Sequence, residues 1–202
     1  MEKQNIKYQS GIAIGSRPAS HTSNIMGTNQ EPWMTRGSIN FLYDFINNIE
    51  NKDKKDLLEY GCGSSTAYFL SLNLKVSSIE HHSKWLSLVK KELPDNLLKN
   101  WKPYLLPCNS SGNDIGSDGE YYDDYVNYVN QLETFDIIIV DGRCRSKCIE
   151  KSINKLNSGG LFIIDNAERK KYHKSINDNI PKNWTKFEFP TPVDTTIIWL
   201  KP

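Results

Sequence analysis

The chain contains 202 residues, of which 38% are hydrophobic and 24% charged, and its formal net charge is +1 at pH 7. This length suits a single domain with a sizeable buried core. The balanced charge gives no global attraction to nucleic acid or to an anionic membrane, and no stretch approaches the ~20 apolar residues of a membrane span. The N-terminal segment also lacks the apolar core of a signal peptide. We therefore expect a cytoplasmic protein with no nucleic-acid or membrane partner.

Polar, aperiodic sequence fills residues 1–30, which we predict to form a flexible or lid-like arm before a single domain at 31–202. Apolar residues at helical spacing around Leu42 predict the first helix. Strands and helices then alternate, which indicates a doubly wound, mostly parallel sheet covered on both faces. The last two strands are joined by a short loop and should form an antiparallel hairpin. The seven predicted strands are 56–60, 75–79, 104–106, 135–140, 161–164, 184–189 and 195–200, and the later predicted helices are 66–72, one capped by Ser83, 121–132, 144–156 and 167–179.

A glycine turn follows the strand predicted at 56–60, within the segment Glu59–Thr66. Ligands of doubly wound sheets bind beyond the carboxyl ends of the strands, and Gly61 and Gly63 allow a sharp turn with close backbone approach. The next helix offers free N–H groups to an anion. A dinucleotide-binding turn would carry a third glycine where Thr66 stands. The turn therefore favours a smaller anion, such as the carboxylate of S-adenosylmethionine, and Glu59 suits the ammonium group of that molecule.

Glu80 ends the second strand of the alternating region. A carboxylate roughly 20 residues after the glycine turn suits the two hydroxyls of a ribose. Because NAD sites and S-adenosylmethionine sites share this spacing, Glu80 alone does not discriminate between the two cofactors.

Four features occur in a fixed order along the chain: the glycine turn, Glu80, the strand end Val140-Asp141-Gly142-Arg143, and the segment 159–166. In this order they resemble the small, single-domain type of class I S-adenosylmethionine-dependent methyltransferase. The resemblance covers about 56–169, and the terminal hairpin fits the last two strands of the same fold. It implies a Rossmann-like α/β fold with a seven-stranded sheet and S-adenosylmethionine as cofactor. It also implies cofactor contacts for Glu59, Gly61, Gly63, Ser65 and Thr66 at the methionine moiety, Glu80 at the ribose, His81 and Ser110–Gly112 near the adenine, and Asp141 beside the sulfonium.

Polar residues end two neighbouring strands, Asp141 on one and Asp165-Asn166 on the next. Three oxygen ligands at one rim would suit Mg²⁺, and the arrangement is similar to that of catechol-type O-methyltransferases. That family places a lysine base shortly after the first aspartate, whereas Arg143 and Arg145 stand here, and arginine is a poor base. We interpret both arginines as binders of an acidic acceptor group, and we assign catalytic roles to Asp141 and Arg143. Without a metal, the proton of the acceptor would pass to Asp141, Glu168 or a nearby histidine, and the sequence does not choose between them.

The leading hypothesis is O-methylation of a small-molecule or glycan acceptor, with an anionic acceptor favoured by the arginines and by the basic run 168–174. The same run would also suit an ordinary solvated helix face. The absence of an Asn-Pro-Pro-Tyr segment at the strand end argues against methylation of adenine in nucleic acids. The alternatives are an NAD-dependent oxidoreductase, which Thr66 disfavours, and a cofactor-binding module without catalysis.

Overall fold

A computed structural model describes the backbone of Ile6–Lys7, residues 32–48 and residues 55–202. One mixed sheet forms the centre, in the spatial order β1-β7-β8-β6-β5-β2-β3-β4. Its strands are β1 (Ile6–Lys7), β2 (Asp56–Tyr60), β3 (Lys75–Glu80), β4 (Trp101–Leu105), β5 (Phe135–Val140), β6 (Leu156–Ile164), β7 (Thr185–Pro190) and β8 (Thr195–Leu200). The helices are α1 (Arg36–Asn48), α2 (Ser64–Ser71), α3 (Ser83–Glu92), α4 (Asp95–Leu98), α5 (Asp123–Asn127), α6 (Arg145–Ser152) and α7 (Lys170–Asn179).

Strands β2 to β6 run parallel to one another, and β8 lies antiparallel between β6 and β7. The predicted Rossmann-like, mostly parallel seven-stranded sheet with a terminal antiparallel hairpin is therefore confirmed. The two-residue strand β1 adds an eighth member, parallel to β7, from within the predicted arm. The rest of residues 1–30, and with it the prediction of a lid, lies outside the described residues.

Several predicted element boundaries are wrong, and the structure shows the physical reason at β6 and α3. Strand β6 begins at Leu156, five residues earlier than predicted, because Gly159 (φ 72°) lies in a bulge of the strand and does not terminate a helix. The preceding helix α6 ends at Ser152 and continues as a short 3₁₀ turn. Helix α3 is capped by His82, whose side chain accepts a hydrogen bond from the backbone of Trp85, and not by Ser83.

Alternating side chains on the central strands build a core on each face of the sheet. On β5, Ile137 and Ile139 face a cluster with α1 and α2, whereas Ile138 and Val140 face a cluster with α5 and α6. All of these strands are parallel, so the ends of β2, β3, β5 and β6 emerge at one rim. Within the described part of the chain, no helix is long and apolar enough to cross a membrane.

Candidate active site

The glycine turn lies at the middle of this rim, between β2 and α2. Gly61 adopts a left-handed conformation (φ 89°), and its N–H donates to the carbonyl of Ile79 on β3 at 2.8 Å. A Cβ atom on Gly61 would lie 3.5 Å from the Cα atom of Gly142, which follows β5. The turn therefore packs tightly against the neighbouring strand end and leaves the N-terminus of α2 facing outward.

Glu59 stabilises the turn from its buried side. Its buried carboxylate (1% exposed) accepts hydrogen bonds from Ser65 at 2.7 Å, from Ser78 at 2.6 Å and from Thr66. The Thr66 hydroxyl also accepts the N–H of Gly63 at 2.9 Å. Burial, only partly offset by these hydroxyls, raises the pKa of Glu59 to about 7.

This position concerns two of the residues predicted to contact the cofactor. Glu59 and Thr66 do not line the cavities at the rim, and Thr66 is fully buried. Their contacts indicate that both residues shape the turn, whereas Gly61, Gly63 and Ser65 line its outer surface.

Glu80 lies at the end of β3 with its carboxylate fixed by backbone donors. Its Oε1 accepts the N–H groups of His81 and His82, each at 2.8 Å, and its Oε2 accepts the N–H of Cys62 at 3.1 Å. Burial alone would raise the pKa of Glu80, but the hydrogen bonds from His81, His82 and Cys62 outweigh it and lower the pKa. Glu80 is therefore held as a carboxylate, with acceptor capacity left toward the cavity that it lines.

Arg143 joins the end of β5 to the loop between β4 and α5. Its guanidinium lies 3.4 Å from the carboxylate of Asp118 and donates from Nε to His81 Nε2 at 3.4 Å. The same loop presents Ile115–Ser117 to the cavity, whereas Ser110–Gly112, predicted to flank the adenine, do not line it. Ile115–Ser117 are thus the residues of this loop that share the cavity with His81.

A cavity of about 800 Å³ connects these features along the rim. It extends from Ile115–Ser117 and His82, past Gly61, to a basic end at α6 and α7. A smaller pocket of about 100 Å³ beside the start of α2 shares Gly61, Cys62, Trp33, Trp85 and Asp141 with the cavity. The indole of Trp85 donates to the carbonyl of Cys62 at 2.6 Å. The sequence did not predict this site residue, because the spacing of Trp85 within α3 is that of a core residue.

The residues predicted to bind Mg²⁺ instead surround the guanidinium of Arg145. Its Nη2 donates to the Oδ1 of Asp141 at 2.6 Å and to the carbonyl of Asp141 at 2.9 Å, and its Nη1 donates to the carbonyl of Asp165 and to Asn166 Oδ1. The Asp165 carboxylate is buried and accepts the hydroxyl of Thr196 at 2.8 Å.

These contacts do not fit a divalent cation, because Asp141 Oδ1 and Asn166 Oδ1 already accept hydrogen bonds from a guanidinium, whose positive charge would repel a second cation. No cluster of three or more His, Cys, Asp or Glu side chains that could hold a metal occurs among the described residues. Arg145 is also only 8% exposed, which corrects its predicted role as a binder of the acceptor.

Neither a protein-family model nor a curated protein sequence matches the chain. Solved structures match its fold. One is an rRNA methylase from Streptococcus thermophilus, with 17% identity over 81% of this chain and 95% of that chain and a TM-score of 0.57. Another is an O-methyltransferase from Bacillus cereus in complex with SAH, with 14% identity, coverage of 80% and 81%, and a TM-score of 0.54. A third is a precorrin-6y C5,15-methyltransferase from Geobacter metallireducens, with 12% identity, coverage of 79% and 87%, and a TM-score of 0.54.

The fold is that of class I S-adenosylmethionine-dependent methyltransferases. The resemblance in the sequence is therefore confirmed at the level of the fold. The rRNA methylase and the precorrin-6y methyltransferase are named for different acceptors, so this fold does not by itself select an acceptor.

The buried Glu59 carboxylate predicts a pH dependence of stability. Because folding raises the pKa of Glu59 from 4.5 to about 7, the folded state holds a proton that the unfolded state has lost between these values. Stability should therefore fall as pH rises through this window, by roughly 2–3 kcal/mol between pH ~5 and pH ~8. Urea unfolding of wild type and Glu59→Gln should show this loss only in the wild type.

Glu92→Gln, at an exposed position on α3, is the matched control for losing one carboxylate. If the free energies of unfolding of the wild type and Glu59→Gln differ by the same amount at every pH in this range, burial does not raise the pKa of Glu59.

Proposed function

We propose that the cleft binds S-adenosylmethionine and that the protein transfers its methyl group to an anionic small molecule or glycan. The main support for this proposal is the fixed Glu80 carboxylate, which lines the same cavity as Gly61 and Asp141. In this arrangement the methionine carboxylate meets the N–H groups at the start of α2, and the ribose hydroxyls donate to Glu80. The adenine lies between His81 and Ile115–Ser117, which leaves the sulfonium near Asp141.

The acceptor end of the cavity is strongly basic. Five cationic side chains line the cavity, of which Arg143 is held by Asp118 and Arg145 by Asp141. Lys147, Arg169 and Lys171 are exposed around this end. A cleft lined by an excess of one charge concentrates ligands of the opposite charge. This excess supports an acceptor that carries a carboxylate or a phosphate.

Asp141 is the acidic side chain that we assign to the reacting end of the cleft. It lines both the cavity and the small pocket beside α2. A sulfonium is already a good leaving group, so the protein has to align the acceptor oxygen and receive its proton. We assign both tasks to Asp141. Arg143, predicted to be catalytic, is better suited to anchoring the loop through Asp118 and His81.

Binding of the product SAH tests the cofactor assignment without an acceptor. Isothermal titration calorimetry should give a single site in the wild type and no binding of NAD. Glu80→Gln should weaken SAH binding by ~10–100-fold, since a buried acceptor of the ribose hydroxyls is lost. Glu92→Gln on the surface of α3 should bind like the wild type. Binding of NAD without binding of SAH would overturn the assignment.

Acceptor charge is tested with pairs of hydroxyl compounds that differ only in a carboxylate or phosphate group. With radiolabelled S-adenosylmethionine, we expect the charged member to be preferred and its KM to rise with salt. Lys171→Glu should lower kcat/KM for the charged member by ~10-fold or more and leave the neutral member nearly unchanged. Lys102→Glu, at an exposed position on β4, is the control. Preference for the neutral member, or for RNA as acceptor, would contradict the proposal.

A further inference from the structure

The Arg145 side chain uses every donor that a guanidinium possesses. Beside the four bonds to Asp141, Asp165 and Asn166, its Nε donates to the carbonyl of Gly142 at 3.1 Å. Five N–H groups thus meet five oxygen atoms, on residues that follow both β5 and β6. A buried cation with this many partners is held in one place and one orientation.

The ring of Tyr172, on α7, covers the guanidinium, with 5.7 Å from the Arg145 carbon to the ring centroid. Arg145 also retains its charge, because attraction by Asp141 outweighs the cost of burial and raises its pKa. The cluster therefore carries one permanent positive charge against the oxygen atoms at the two strand ends. This is the electrostatic role that a bound divalent cation would have there.

We propose that Arg145 is a built-in cation in the place of a metal, that it positions Asp141 for the acceptor, and that methyl transfer needs no divalent ion. This inference rests on the proposed function. With the Asp141 carboxylate held at 2.6 Å from Nη2, its orientation toward the acceptor is fixed before the acceptor binds.

In the reaction, the acceptor oxygen forms a bond to the methyl carbon while the bond from that carbon to sulfur breaks. The sulfur keeps the electron pair and becomes the neutral thioether of SAH. The hydroxyl proton passes to the Asp141 carboxylate and then to water. Arg145 touches none of the reacting atoms, and it is therefore a positioning residue.

A first experiment needs no acceptor. Electron paramagnetic resonance of Mn²⁺ with SAH-loaded protein should detect no tightly bound Mn²⁺ in the wild type. Arg145→Ala should gain a Mn²⁺ site that is lost again in the double variant with Asp141→Asn, since removal of the guanidinium exposes an oxygen cluster. A tight Mn²⁺ site in the wild type would overturn the inference, whether or not the variants fold.

A second experiment separates positioning from a purely structural role. Wild-type turnover of the charged acceptor should be unchanged in EDTA, and Arg145→Lys should lower kcat by ~10-fold or more with little change in the affinity for SAH. Free guanidinium ion should restore part of the turnover of Arg145→Ala. Without guanidinium, the acidic limb of the pH–rate profile of Arg145→Ala should lie about one pH unit higher than that of the wild type, because the positive charge beside Asp141 is lost.

The outcomes also separate this inference from the proposed function. Loss of wild-type turnover in EDTA while SAH still binds would refute the built-in cation alone. Failure of the wild type to bind SAH would refute the proposed function itself. Unchanged kcat in a folded Arg145→Lys protein, together with an unchanged pH profile in a folded Arg145→Ala protein, would refute the positioning role and leave Arg145 a purely structural link between the strand ends.

Discussion

The buried carboxylate of Glu59 is the constraint on which the cleft depends. It accepts hydrogen bonds from three hydroxyl groups, those of Ser65 and Thr66 at the start of α2 and that of Ser78 on β3. These bonds tie the glycine turn to the neighbouring strand and leave the outward N–H groups unobstructed. A buried carboxylate without such donors would be costly, so the hydroxyls stabilise the same charge that shapes the turn.

A second buried charge organises the other half of the rim. Arg145 joins the ends of β5 and β6, as Glu59 joins β2 to β3. Its guanidinium also holds Asp141, which lines both cavities. Cofactor and acceptor thus meet, in the proposed function, at a place whose backbone is fixed by the hydroxyl bonds of Glu59 and the guanidinium bonds of Arg145.

The sequence was sufficient for the features that repeat or occur at fixed spacing. Alternation of apolar segments predicted the sheet, and the distance from the glycine turn to Glu80 predicted that both belong to one cofactor site; both line the same cavity. The contacts of Arg145 could not be predicted, because they depend on the left-handed conformation of Cys144 (φ 45°), which orients the first turn of α6. The position of Ile115–Ser117 at the cavity was not predicted, because a polar loop without periodicity does not indicate which of its residues face a ligand. Ile115, the isolated apolar residue of that loop, was the one available signal.

The central claim is that one cleft holds the cofactor across Gly61, Glu80 and Asp141. A crystal structure of the protein with SAH tests this most directly. We predict that the ribose hydroxyls lie within hydrogen-bond distance of the Glu80 carboxylate and that the sulfur faces Asp141 and the basic end of the cavity. SAH bound elsewhere, or bound with its sulfur beside Ile115–Ser117, would contradict it.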